Sequence, residues 1–183
     1  MGQRLMLVLG GAHSGKRAFA RQQAATWGEH VLYVATNQPD LVEALPAGGP
    51  QDIPETWRLL EAPHDPAAAI MSEMWGHDVI VLEDLSLLTT NLLLRTEEAD
   101  MNSDDALARI LKQMNALIAA YAASQAAWVV VSHEVGMGVV PRSRLGRHYR
   151  QALGRVNQRW AGAADDVIFM LAGLPWRLTP YAP

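Results

Sequence analysis

The chain has 183 residues, half of them hydrophobic and 19% charged, with a net charge of −4 and no cysteine. That length and apolar content suit a single domain, residues 1–183, with a substantial core, and exclude a disordered chain. Disulfides, thiolate metal sites and a cysteine nucleophile are excluded, the acidic balance gives no global attraction to nucleic acid, and the apolar runs are too short to span a bilayer.

In chain order, Leu5 to Leu9 is a continuous apolar run between Arg4 and a glycine pair, the pattern of a strand buried on both faces. Gly10-Gly11 interrupts it too early for a signal peptide and no small-residue cleavage site follows, so a cytoplasmic location is expected. A helix is predicted from Gly15 to Trp27 and a second strand over Val31–Ala35. Residues 38 to 56, with four prolines and Gly48-Gly49, read as loop with one short helical turn. A third strand is expected over Trp57–Leu60, a helix over Pro66–Trp75 and a strand over Val79–Leu82. Thr89-Thr90-Asn91 offers hydroxyls and an amide to a ligand or, in preference, a helix cap. Ser103 caps the clearest helix, whose apolar stripe runs from Leu107 through Ile110, Leu111, Met114, Leu117 and Ile118 to Tyr121. Trp128–Val131 is a strand, and Leu145, Tyr149, Leu153, Val156 and Trp160 mark a last helix. Val167–Leu171 and Trp176–Leu178 form a closing hairpin around Gly173-Leu174-Pro175. Strands alternating with helices predict an α/β fold of the P-loop NTPase type: a doubly wound, mostly parallel sheet with an antiparallel strand at its C-terminal edge.

Such sheets bind ligands at the carboxyl ends of their strands, where the motifs fall. Gly10-Gly11-Ala12-His13-Ser14-Gly15-Lys16-Arg17 lies between the first strand and first helix and matches G-x-x-x-x-G-K. Glycines let such a loop turn its N–H groups onto phosphate oxygens, the helix start adds positive potential, and Lys16 reaches the β- and γ-phosphates of ATP or GTP. Mg²⁺ is expected with the nucleotide, yet its usual Ser or Thr ligand is replaced by Arg17, which has no lone pair to offer. Three consequences stay open: Ser14 or an acid holds the metal less directly, Arg17 itself neutralises phosphate charge, or only binding survives. The strand of residues 79–82 ends in Glu83-Asp84, the place of the acid that meets a metal or its water shell. Lys16 and Glu83 are the candidate catalytic pair.

Three further segments are more specific: Val31-Leu32-Tyr33-Val34-Ala35-Thr36-Asn37, His133-Glu134-Val135-Gly136-Met137-Gly138-Val139-Val140-Pro141, and Arg147 to Gln158 followed by Ala164-Asp165-Asp166-Val167. With the phosphate loop, these resemble the bifunctional adenosylcobinamide kinase / adenosylcobinamide-phosphate guanylyltransferase family of cobalamin biosynthesis. The resemblance covers nearly the whole chain. It implies phosphorylation of the aminopropanol hydroxyl of adenosylcobinamide by ATP or GTP, then GMP transfer from GTP through a histidine–GMP intermediate. It also implies a homotrimer, with Ala35, Thr36, Asn37, Glu61 and Glu83 beside the nucleotide. One departure bears on the second step. The resemblance places the guanylylated histidine soon after the Ala35-Thr36-Asn37 segment, but Asp40 to Pro50 contains neither histidine nor arginine. Without an imidazole, attack on the α-phosphorus has no nucleophile, so GMP transfer is not expected, and the alternative is a catalytically degenerate nucleotide- or cobinamide-binding homologue. His133-Glu134 is read either as a substrate contact or as a backbone-bonded loop pair. The arginines from Arg142 to Arg159 are read as a solvated face, or as offering Arg142 or Arg144 to substrate phosphate.

Overall fold

The computed structural model describes residues 2–38, 53–98 and 103–178. Seven strands form one sheet in the order β3-β2-β4-β5-β1-β6-β7. They are β1 (Leu5–Gly10), β2 (Val31–Ala35), β3 (Arg58–Glu61), β4 (Val79–Glu83), β5 (Ala127–His133), β6 (Asp166–Leu171) and β7 (Leu174–Leu178). All neighbours are parallel except β6 and β7, which pair antiparallel at the edge. The helices are α1 (Lys16–Trp27), α2 (Pro66–Glu73), α3 (Leu85–Glu98), α4 (Ser103–Ala123) and α5 (Arg144–Ala161). The expected α/β architecture with its antiparallel edge is therefore the observed one.

Every residue of β1, β2 and β4 is buried, which is why these strands read as unbroken apolar runs: both faces of the sheet are covered. Alternate residues divide between two cores. Leu5, Leu7, Leu32, Ile80, Leu82 and Trp128 face a layer built by α2, α3, α4 and α5. Met6, Val8, Val31, Tyr33, Val79 and Val129 face the opposite side, where α1 contributes Ala20 and Ala24. The small residues on α1 let it lie close to the sheet and keep its N-terminus fixed at the end of β1.

Three expectations need correction. A helix, α3, occupies Leu85–Glu98, so Thr89-Thr90-Asn91 is helix interior and caps nothing. The hydroxyls of Thr89 and Thr90 donate to the carbonyls of Leu85 and Ser86, one turn back, at 2.6 and 2.9 Å. Asn91 Nδ2 donates to the carbonyls of Thr36 and Pro63, both at 2.8 Å. The threonine bonds are local and the Asn91 bonds reach distant loops; together they satisfy residues that otherwise oppose a helix. Second, the hairpin turn is Ala172-Gly173, with φ of 51° and 82°, and Leu174 and Pro175 already belong to β7. Two consecutive positive φ values match the right-handed twist of the strands, and proline is tolerated because β7 is an edge. Third, the helix expected to run to Trp75 stops at Glu73. The loop expected over residues 38–56 falls mostly, and the capping side chain of Ser103 wholly, outside the described residues.

Candidate functional site

The carboxyl ends of β1, β4 and β5 converge on one polar site. Its first half is the loop after β1. Gly15 sits at the start of α1 with φ 88°, a conformation that favours glycine. Gly10 is constrained differently: a Cβ there would stand 2.5 Å from Ser14 Oγ and 2.7 Å from the Met170 carbonyl. The hairpin turn props the loop from outside, since Gly173 N donates to the Ser14 carbonyl at 3.0 Å. Lys16 is buried, and its Nζ donates to the Gly11 carbonyl at 3.0 Å. Burial lowers its pKa from the ordinary lysine value, and Arg17 pushes the same way, while Asp84 and Glu83 oppose. The Lys16 ammonium is thus desolvated and folded back over the loop.

The second half is ionic. Arg17 Nε meets Glu83 Oε1 at 2.6 Å, and its Nη2 lies 3.6 Å from Asp84 Oδ2. Arg21, one turn along α1 and therefore on the same helix face, places Nη2 3.7 Å from Glu83 Oε2 and donates to the Tyr33 hydroxyl at 3.1 Å. Tyr33 in turn donates to Glu83 Oε2. Both oxygens of the buried Glu83 are thus engaged. Burial raises its carboxyl pKa above the usual value, against the pull of Arg17. The Tyr33 hydroxyl is raised by burial and then by the neighbouring Glu83.

Asp84 caps α3: its Oδ1 accepts from Leu87 N at 2.7 Å and from the Ser86 hydroxyl. Ser86 has one proton and gives it to Asp84. Toward His133 Nδ1, at 2.7 Å, its oxygen must then accept. That fixes the imidazole with hydrogen on Nδ1 and a lone pair on Nε2. Burial lowers the His133 pKa; Asp84 opposes, and Lys16 and Arg17 add to the lowering, so the ring is neutral near pH 7. His133 pairs with Gly10 across the β1–β5 ladder, which sets it beside the loop. Behind it, Asn157 Nδ2 donates to the His133 carbonyl at 2.9 Å, and Asn157 Oδ1 accepts from Ser132 Oγ at 2.6 Å. The Tyr149 hydroxyl reaches Thr90 and Ser86, and burial pushes its pKa up to about 12.

Among the expected site residues, Gly10 to Arg17 and Glu83 come together here. Ala35 is the buried end of β2, and Asn37 is half-exposed beside it. The Thr36 hydroxyl is spent on the backbone of Asp84, accepting from its N at 2.9 Å and donating to its carbonyl at 2.7 Å. Glu61 ends β3, on the far side of β2, and is exposed. Of the basic helix, Arg142 and Arg144 are exposed, and Arg147 holds the Pro141 and Arg142 carbonyls. Arg21, Tyr33, Ser86 and Tyr149 were not singled out as site residues from the sequence, whereas Asp84 was named there with Glu83 as a strand-end acid. Two signals were available: arginines four apart on α1, and one hydroxyl within an otherwise apolar β2.

The site does not fit Mg²⁺ held as the loop pattern implies. The position of the ligating hydroxyl carries a guanidinium, which donates to the acid that would bind the metal's water shell. Ser14, the other candidate, is buried against Gly10 and β6, and β5 and β1 stand between β6 and Glu83. Among the described residues no group of three or more His, Asp or Glu side chains is arranged to hold a metal.

Residues 6–178 match the family described as cobinamide kinase / cobinamide phosphate guanyltransferase. The bifunctional adenosylcobalamin biosynthesis protein CobU of Escherichia coli K12 is 37% identical over 179 residues, covering 93% of this chain and 97% of that protein. Its counterpart of the same name from Salmonella typhimurium LT2 is 38% identical over 178 residues, with the same coverage. Among solved structures, a KaiC-like protein from Pyrococcus horikoshii shares 14% identity at a TM-score of 0.49, covering 92% of this chain and 71% of that one.

Proposed function

The chain belongs to the cobinamide kinase / cobinamide phosphate guanyltransferase family, and we propose that it acts as the kinase, moving the γ-phosphoryl group of ATP or GTP to the aminopropanol hydroxyl of adenosylcobinamide. The observation that carries this reading is the loop itself: strand, turned glycines, a buried lysine and a helix start in one continuous arrangement. Loop N–H groups hold the β- and γ-phosphates, and Lys16 leaves the Gly11 carbonyl for them, stabilising charge as it moves to the leaving oxygen. The acceptor oxygen bonds to the γ-phosphorus as the bond to the β-bridging oxygen breaks, releasing ADP or GDP. The hydroxyl proton goes to Nε2 of His133, a neutral base beside the loop.

GMP transfer is not part of the proposal, because Asp40–Pro50 supplies no histidine. The exposed Leu174 and Trp176 of the edge strand, with Met137, Val139 and Val140 of the glycine loop, support the homotrimer that the family resemblance implies. No helix among the described residues is long and apolar enough to cross a membrane. A second reading, a nucleotide- or cobinamide-binding homologue without turnover, is favoured by Arg17 on the site's acids together with the missing histidine.

Incubation with adenosylcobinamide and γ-labelled ATP or GTP distinguishes them. The kinase yields a labelled phosphate ester. Binding without product supports the second reading. With α-labelled GTP no labelled protein band is expected, and a stable GMP–protein adduct would overturn the exclusion of GMP transfer.

A further inference from the structure

We infer that Arg17 is the resident cation of this site, so that the protein binds ATP or GTP as the metal-free polyanion. The inference rests on the nucleotide-binding reading above and concerns how that same site balances charge. In the usual arrangement a hydroxyl after the loop lysine and an acid at a strand end share a Mg²⁺, which neutralises the β- and γ-phosphates. Here the side chain at the hydroxyl position brings its own positive charge. It spans both strand-end acids, 2.6 Å from Glu83 Oε1 and 3.6 Å from Asp84 Oδ2.

The donors a metal would need are taken. Glu83 Oε2 is held by Tyr33 and faced by Arg21, and Asp84 Oδ1 is held by Ser86 and Leu87 N. Of the four carboxylate oxygens of Glu83 and Asp84, only Asp84 Oδ2 is left without a hydrogen bond, and it faces Arg17 and His133. Lys16, Arg17 and Arg21 stand against Glu83 and Asp84, so the group already carries a net positive charge. A divalent ion added there meets repulsion with one oxygen to bind, whereas a polyphosphate meets the loop N–H groups, the start of α1 and Lys16. A guanidinium is also suited to phosphate, presenting several donors in one plane.

The test is calorimetric titration of the full chain with ATP and with GTP, once in excess EDTA and once in excess Mg²⁺. The metal-free nucleotide is expected to bind at least as tightly as its Mg²⁺ complex. In Arg17→Ser the order reverses, Mg²⁺ improving affinity about 10-fold or more, equivalent to about 1.4 kcal/mol. Arg17→Lys keeps the charge and the metal independence. Nucleotide binding by the unaltered protein only when Mg²⁺ is present overturns this inference and leaves the nucleotide site standing. Failure to bind either nucleotide under both conditions overturns the site and the inference together. The measurement on the unaltered chain decides the matter even if a variant fails to fold.

Discussion

The two halves of the site are built on different physics. The half after β1 works through backbone conformation: glycines at Gly10 and Gly15 and a helix start, with the buried Lys16 as its charged side chain. The half at the end of β4 works through side chains: Arg17, Arg21, Tyr33, Glu83, Asp84, Ser86 and His133 in one network. Backbone geometry survives most side-chain changes around it. A side-chain network can be rewired by a single substitution, and here Arg17 ties the strand-end acids Glu83 and Asp84 into an internal ion pair.

The contrast can be broken most severely on the loop side. Lys16→Ala is expected to lower kcat/KM for phosphoryl transfer by about 10²–10³, the usual cost of deleting one transition-state charge donor, while the circular dichroism spectrum stays unchanged; an activity loss below threefold to fivefold would remove Lys16 from the mechanism. Gly10→Ala forces a Cβ onto Ser14 Oγ and the Met170 carbonyl and should destabilise the fold by about 1–3 kcal/mol, read by urea denaturation. On the network side the expected effects are smaller. Tyr33→Phe removes an acceptor from Arg21 and a donor from Glu83 and should cost about 1–2 kcal/mol in the same assay; a neutral result would show that the arginines alone satisfy Glu83. The smallest effect belongs to pH. The His133 pKa is lowered in the folded protein, so between that value and the unfolded value near 6.5 the unfolded chain holds more protons. Stability then rises with pH through this window, is complete above about 6.5, and is lost as pH falls toward the folded pKa, with a slope of at most about 1.4 kcal/mol per pH unit for one proton. In His133→Gln that slope below about pH 6.5 should flatten; an unchanged slope would assign it to another group.

Much of this molecule was readable before any coordinates. Strands buried on both faces announce themselves as apolar runs, and the loop announces itself by glycine and lysine spacing, because each is a local requirement on consecutive residues. α3 was hidden by Thr89, Thr90 and Asn91, which favour turns unless their hydroxyls and amide find the partners that the fold supplies. Leu85, Leu88, Leu92 and Leu93 did carry helical spacing, and weighting that stripe above the polar triplet would have found the helix. The displaced hairpin turn has a similar origin: Gly173 and Pro175 both signal a turn, and only the pairing of Leu171 with Leu174 decides which residues bend.

Family, fold class and the phosphate loop follow from the sequence alone, because they depend on order and spacing along one chain. So does the absence of a histidine in Asp40–Pro50. What Arg17 pairs with was not decidable that way. Its partners lie on β4, sixty-six residues further on for Glu83, and Tyr33 and His133 join from β2 and β5. Only the parallel sheet brings those strand ends together, and an ion pair exists only where charges meet within a few ångströms.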